Sequence, residues 1–319
     1  MKEIFSTKIF PEGYIPEVHA STVLKVDDNK LLCAFFGGTE EGRDDVEIYL
    51  SSFDGEKWTL PQIVANADNV PCWNPVLFAH DGKISLYYKV GKPIPNWHTM
   101  VKDSFDGGRT WSEARELVPG DIGGRGPVKN KAILLKNGNI CAPASVETED
   151  EWDAFTDISR DGGITWKKSE LVPFDHKTAD GRGIIQPTLW ESEDKLYMLI
   201  RSSESRVMKS VSTDGGKTWA RAEKTQLLHN NSGIDCTQLP GGDVLVVHNP
   251  VEACWGDRNI ISYAITHDNA QSFDEGVVIE QSDDTETEFS YPAVINDGKY
   301  IYLTYTHNRK NIMFRIFEI

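Results

Sequence analysis

Residues 104–111 read SFDGGRTW, 159–166 read SRDGGITW and 212–219 read STDGGKTW. A divergent copy, THDNAQSF, occupies 266–273, and a shortened one, SFDGEKW, occupies 52–58. The copies recur at a period of roughly 53 residues, which marks a repeated supersecondary unit. Each octamer has the chemistry of a hairpin turn. Asp-Gly and Gly-Gly pairs supply the positive φ that tight turns demand. The Asp side chain is placed to accept hydrogen bonds from the turn backbone, and the Trp to fold back over the hairpin. These octamers therefore read as structural staples, and Asp106, Asp161 and Asp214 as residues outside the chemistry.

Between the octamers the chain reads as short strands, such as STVLKV, KLLCAFF, ISLYYKV, KLYMLIR and DVLVVH. They alternate or are wholly apolar, and no long helical period interrupts them. Turn signals punctuate them at His80-Asp81-Gly82, Lys136-Asn137-Gly138, Pro240-Gly241-Gly242 and Asn296-Asp297-Gly298. Four strands per repeat make one propeller blade. Aligned, the repeats give six units with inner strands near HASTV, NPVLF, KAILL, QPTLW, DCTQL and YPAVI. The predicted fold is all-β, a six-bladed β-propeller of four-stranded antiparallel blades forming a single domain over 1–319. The segment KEIFSTKIF is expected to add the outer strand of the last blade and so remove the free edges.

The net charge of −16 argues against nucleic acid or anionic membrane as a partner. No apolar stretch reaches the ~18–20 residues of a membrane span, and MKEIFSTKIFPEGY lacks the apolar core of a signal peptide, so a cytoplasmic location is expected. The five cysteines form no CxxC or Cys/His cluster and read as buried free thiols. No cofactor and no metal are implied.

The register of the repeats points to a site. The residue opening each inner strand is polar in all six blades: His19, Asn74, Lys131, Gln186, Asp235 and Tyr291. Inner strands line a propeller's channel, so these six are expected at one mouth. A second ring follows the next strand of each blade and includes Lys89, Glu147, Arg201, His248, His307 and Arg309. Lys89, Lys131, Arg201 and Arg309 would gather four cations in an acidic protein, which suits an anionic ligand, with Arg able to grip a carboxylate at two points. The acidic loop GGTEEGRDDVEIYLS (37–51) could bring a carboxylate over the channel as a general acid. Trp73, Trp97 and Trp255 are candidates to stack on sugar faces.

The octamers, known as Asp boxes, and the six-unit layout resemble the sialidase (neuraminidase) superfamily. FFGGTEEG, PCWNPVLF, GPVKNKAILL, NSGIDCTQL, FSYPAVI and YTHNRKNI make the chain similar to BNR-repeat proteins described as neuraminidase-like. The resemblance implies an exo-acting glycoside hydrolase on a terminal acidic sugar. It places Tyr291 as nucleophile, Asp45 or its neighbour Asp44 as acid/base and Glu147 as a partner for the Tyr. It places Arg201 and Arg309 as two of the three carboxylate-binding arginines. The first arginine is missing; the local text is IPEVHAST, with His19 facing the channel instead.

That His opens an alternative, elimination at a rhamnose–glucuronate linkage with His19 as base or acid. A non-catalytic glycan-binding propeller is a further alternative. A metal enzyme using His19, His248 and His307 is another. In each case except the last the partner is a small oligosaccharide or acidic sugar.

Overall fold

The computed structural model describes residues 1–319. Twenty-four strands form six four-stranded antiparallel sheets, with only two short 3-10 turns, Ile94–Asn96 and His176–Thr178. The first five blades each run in chain order from an inner strand outward. Their inner strands are Glu17–Asp27, Cys72–His80, Ile133–Leu134, Ile184–Ser192 and Asp235–Gln238. The sixth blade takes Phe289–Asn296, Tyr300–His307 and Asn311–Glu318 from the C-terminal end and Lys2–Lys8 from the N-terminal end. The expected closure is thus present, with Lys2 opposite Glu318 and Lys8 opposite Met313.

Apolar packing runs between neighbouring blades, because each sheet must bury both faces. Ala34, Phe36, Leu77 and Leu86 join the first two blades, and Cys141, Leu189, Met198 and Ile200 join the third and fourth. Phe10, Phe35, Ile312 and Phe314 seal the sixth blade to the first.

The Asp boxes cap the turn after the third strand. In the box of the third blade, Asp161 Oδ1 accepts from Ile164 N at 3.1 Å and Thr165 N at 2.9 Å, and Oδ2 accepts from Thr165 Oγ1 at 2.5 Å. Ser159 Oγ donates to Asp161 and accepts from Gly163 N. The divergent copy builds the same network around Asp268, with Ser272 in place of Thr. These donors hold the Asp161 carboxyl down at about 2. Four of the five boxes are also tied to the blade before them through a carbonyl: Lys30 Nζ donates to Gly107 O, Lys83 Nζ to Gly162 O, Thr156 Oγ1 to Gly216 O and Lys209 Nζ to Ala270 O. The boxes therefore staple turns and brace neighbouring blades.

The inner strands carry the feature that positions the site. In four blades the pairing slips by a bulge, between His19 and Thr22, Trp73 and Val76, Ile185 and Thr188, and Ser290 and Ala293. At each bulge one residue adopts left-handed backbone: Ala20 (φ 53), Asn74 (φ 42), Gln186 (φ 51) and Tyr291 (φ 52). Bulges re-aim side chains, and a one-residue offset sends a side chain to the other face. The predicted ring is therefore correct at Asn74, Gln186 and Tyr291 and displaced elsewhere. In the first blade the bulge falls on Ala20, one residue past His19. In the third and fifth blades the left-handed residues are Lys129 and Asn231, ahead of the inner strands.

Lys131 and Asp235 accordingly leave the mouth. They pair with each other at 2.9 Å, and Asp235 also accepts from Thr188 Oγ1 and Val294 N. Lys129 Nζ donates to Ile234 O at 2.8 Å and to Pro292 O, and Asn130 Nδ2 donates to Gln186 O and Pro187 O at 3.0 Å each. Residues of the third blade thus cross-link the inner segments of the fourth, fifth and sixth.

Lys89 is likewise taken up by the fold. It is fully buried, and its ammonium donates to Thr99 Oγ1, Arg125 O and Pro127 O at 2.7–2.9 Å. Burial pushes it down to about 7, aided by the repulsion of Arg125 and opposed by the pull of Asp157.

Two stability predictions follow from these contacts. Asp161→Ala removes the acceptor of three turn donors and should cost about 1 kcal/mol, comparable to losing a helix N-cap. Because the folded carboxyl is depressed, this contribution is present above the ordinary Asp range and fades as pH falls towards about 2. Wild type and variant should therefore converge in acid; denaturant titration at pH 7 and pH 2.5 checks this. Lys89→Met leaves the Pro127 carbonyl without its donor, while Arg125 O keeps the Thr99 hydroxyl, and should cost about 1–3 kcal/mol, read by the same titration.

Candidate functional site

A cavity of about 1060 Å³ opens at one mouth of the ring. Every blade contributes to its wall: Glu41 and Gly42 from the first, Trp73, Asn74 and the Lys92–Trp97 segment from the second, and Glu147–Asp150 with Trp152 from the third. Arg182, Gln186 and Arg201 come from the fourth, Trp255 from the fifth and Tyr291 from the sixth.

Arg201 stands at the centre of the polar contacts. It ends the apolar strand Lys195–Ser202 and is nearly fully buried. Its Nε donates to Asn231 Oδ1 at 3.0 Å, and its Nη1 donates to Gln186 Oε1 at 2.9 Å and to the Tyr291 hydroxyl at 2.6 Å. All three partners, Asn231, Gln186 and Tyr291, sit on left-handed backbone. An arginine carries five N–H donors, and Nη2 has no partner in the protein. The guanidinium carbon lies 5.6 Å from the Tyr291 ring, 5.6 Å from Trp152 and 5.9 Å from Trp255. These aromatic faces favour the cation and hold it in place. Arg182 lies beside Trp152 at 5.5 Å and forms no ion pair, so it too is free for an anion.

Glu147 ends the strand Ile140–Glu147 on the same wall. It is 9% exposed, and its Oε1 has no hydrogen-bond partner. Burial pushes its carboxyl above the usual range, more strongly than Arg201, Arg182 and Lys89 pull it down. A carboxyl raised in this way holds its proton to higher pH than an ordinary glutamate and is the better suited to give it to a leaving oxygen.

The remaining predicted residues lie behind or beside this wall. His19 is 1% exposed and packs against the back of Tyr291, with ring centroids 4.1 Å apart. Burial, then the positive charge of Arg309, drive it well below the usual imidazole range, so it is neutral. It does not reach the cavity, and the elimination chemistry that would use it as a base finds no support in its position.

Arg309 is also held away, by three carboxylates: it bonds Glu288 at 2.8 Å and Glu41, and lies 3.6 Å from Glu17. Glu288 additionally pairs with Arg258 at 2.8 Å, and Arg258 lies 5.6 Å from the Tyr291 ring. Burial works to raise the Glu288 carboxyl, but its charged surroundings hold it at about 2. A neutral His19 adds little there, so the two arginines carry the effect.

Asp45 folds back on its own loop, accepting from Thr39 N at 3.0 Å and from Thr39 Oγ1, while Asp44 pairs with Lys92 at 3.1 Å. Neither lines the cavity; Glu41 and Gly42 are the residues of this loop that do. A Cβ on Gly42 would come within 3.3 Å of the Trp73 ring, so a glycine lets the loop lie on that wall.

His248 is buried against Leu228 O at 3.1 Å, where burial pushes it down to about 4, and His307 lies 3.5 Å from Glu280. With His19 beside Glu288, the three histidines have separate partners and form no ligand set. The one group of three His and acidic side chains close enough to share an ion is Glu151, Asp153 and His176, none of which lines the cavity.

Trp73, Trp97 and Trp255 all line the cavity as expected, though Trp73 and Trp97 are buried and only Trp255 is exposed, at 61%. Sequence reading missed Arg182, Trp152, Glu41, Glu149 and Asp150. Arg182 and the acidic turn 148–151 lie just before or after strands of the third and fourth blades, the position already used to find Arg201, and the same rule extended to both strand ends would have found them.

The BNR repeat-like domain family matches residues 29–303. A search of proteins with curated function finds no match. Among solved structures, a Dyadobacter fermentans protein of unknown function has a TM-score of 0.79 at 18% identity, covering 99% of this chain and 98% of that one. Trypanosoma rangeli sialidase in complex with sialic acid has a TM-score of 0.71 at 18% identity, covering 99% of this chain and 57% of the sialidase. A mutant of the NanB sialidase from Streptococcus pneumoniae reaches 0.76 at 11% identity, covering 99% and 70%. The chain thus spans little more than half of the trypanosomal enzyme, and at identities this low the likeness is one of fold alone. With most of its length matched, the chain belongs to the BNR repeat-like domain family, and its propeller fold is similar to that of the sialidases.

Proposed function

We propose that this protein is a glycoside hydrolase acting on a terminal acidic sugar bound in the cavity at the propeller mouth. The observation that carries this reading is the Arg201–Tyr291 contact of 2.6 Å on the cavity wall, with Nη2 of the same guanidinium unpartnered. The free edge of Arg201, with Arg182 beside it, suits a sugar carboxylate, for which arginine offers paired donors. A carboxylate held there sets the anomeric centre near the Tyr291 hydroxyl. The binding of sialic acid by the trypanosomal sialidase that shares this fold is consistent with an acidic sugar ring as ligand.

In this mechanism Tyr291 gives its phenol proton to cavity water and attacks the anomeric carbon as the glycosidic C–O bond breaks, the chemistry by which sialidases depart from the two-carboxylate scheme of most glycosidases. Arg201 Nη1 donates to the phenol oxygen and stabilises negative charge that develops on it. Glu147 in its acid form delivers its proton to the departing glycosidic oxygen; its carboxylate then takes a proton from the water that attacks the anomeric carbon, the bond to Tyr291 breaks, and the phenolate regains a proton from solvent. Gln186 and Asn231 accept from Arg201 and keep it in register, and Trp73, Trp152 and Trp255 offer apolar faces to the sugar.

One feature favours a second reading, a propeller that binds the acidic glycan without cleaving it. The Tyr291 hydroxyl has Arg201 as its partner and no carboxylate to accept its proton, since the neutral Gln186 is the group that shares Arg201 Nη1 with it. A screen of sialosides and uronic-acid glycosides separates the two readings: binding with release of the terminal sugar supports hydrolysis, and binding alone supports a lectin-like role.

Tyr291→Phe should abolish turnover while leaving affinity for the terminal sugar within about threefold, measured by product release and calorimetry on one substrate. Glu147→Gln should reduce kcat by roughly 10²–10⁴-fold. The acid form of Glu147 is the active one and its carboxyl is raised. The wild-type rate should therefore fall as pH rises through that raised value, and the limb should vanish in Glu147→Gln.

A further inference from the structure

The charges left unpaired on the cavity wall divide by blade. Arg182 and Arg201, on the fourth blade, have no carboxylate partner. Glu149 and Asp150, on the third, are exposed to the cavity and take part in no ion pair or hydrogen bond. Of the other ionisable groups of the wall, Glu41 is matched by Arg309 and Lys92 by Asp44, and Glu147 has no ion pair.

The acidic pair is not on a loose loop. Thr148 N and Thr148 Oγ1 both donate to Glu151 O at 2.9 Å, and Glu151 N donates back to Thr148 Oγ1 at 2.9 Å. That closed turn holds Glu149 and Asp150 between its ends. On the same wall Glu147, nine-tenths buried, has its Oε1 without a partner, so the acidic face lacks a donor both at its base and along its rim. The cavity, at about 1060 Å³, lies just above the about 300–1,000 Å³ typical of small-molecule sites, with room beyond one sugar ring.

We infer that the cavity selects a zwitterionic glycan, in which the terminal acidic sugar is joined to a unit bearing a free ammonium group that Glu149 and Asp150 receive. This rests on the acidic-sugar reading above and extends it to the neighbouring unit. The carboxylate end faces Arg182 and Arg201, and the ammonium end faces the turn of the third blade. The nearby Trp152 offers a π-face, which also favours an ammonium. An N-acetylated neighbouring unit would leave both carboxylates without a counter-charge.

The test uses two disaccharides, a glucuronosyl-glucosamine and a sialosyl-glucosamine, each with the amine free or N-acetylated. Affinities are measured by calorimetry on the Tyr291→Phe protein, which prevents cleavage, with and without the E149Q/D150N pair. Both substituted positions are exposed, and a thermal melt confirms the fold.

The free-amine form of at least one disaccharide should bind roughly three- to tenfold more tightly than its N-acetylated form, as two partly exposed ion pairs allow. That ratio should fall towards one in E149Q/D150N, and should shrink at high salt in the parent. Equal affinity for both forms overturns this inference and leaves the acidic-sugar reading standing. A preference that persists in E149Q/D150N overturns the assignment to Glu149 and Asp150. Failure of every form to bind overturns the acidic-sugar reading and this inference with it.

Discussion

The hydrogen bonds that cross the propeller axis are the constraint on which the site depends. Six inner strands converge there, each carrying backbone groups that must be satisfied away from bulk water. Lys129, Asn130 and Lys131 meet that demand for half the ring, reaching from the third blade to Ile234, Pro292, Gln186, Pro187 and Asp235. The carbonyls at Gln186–Pro187 and Pro292 belong to the bulges that turn Gln186 and Tyr291 into the cavity. The axial stitch and the cavity wall are consequently one structure, and a change at Lys129 or Lys131 acts on Tyr291 through Pro292 and Val294.

Left-handed backbone is the second requirement. Asn74, Gln186 and Tyr291 are not glycines, and each accepts an uncommon φ to present a polar side chain at the mouth. At Gln186 and Tyr291 the strain is sustained by contacts from elsewhere, chiefly the guanidinium of Arg201. Arg201 in turn is kept cationic and in place by partners that are neutral or aromatic, which leaves its charge uncompensated for a ligand. Arg309 has the opposite surroundings, with Glu17, Glu41 and Glu288 around it, and serves the packing of the first blade against the sixth.

The division of labour among charged residues follows burial and partner. Lys89 and Lys131 are cations that the interior uses to satisfy carbonyls and a carboxylate. Arg182, Arg201, Glu149 and Asp150 are charges that the interior does not use. Glu147 lies between, buried enough to be raised and open enough to line the cavity. The site is legible in these terms without reference to any bound molecule.

The sequence by itself determined the blade count, the strand order within blades, the turn chemistry and the closure of the ring by the N-terminal segment. Those features are local or periodic: Asp boxes, two-residue alternation and turn pairs speak within a few residues of themselves. It also grouped Asn74, Gln186, Arg201, Glu147, Tyr291 and three tryptophans, which line one cavity, because position within a blade maps directly onto height along the axis.

Only the tertiary structure decided which polar residues remain free. A bulge shifted by one residue took His19 out of the ring and put Ala20 there. Lys131 and Asp235 found each other across a whole intervening blade, and Arg309 met carboxylates from both ends of the chain. Pairing between residues far apart in sequence leaves no periodic mark, and it is such pairing that separates a charge available to a ligand from one that the fold has already neutralised.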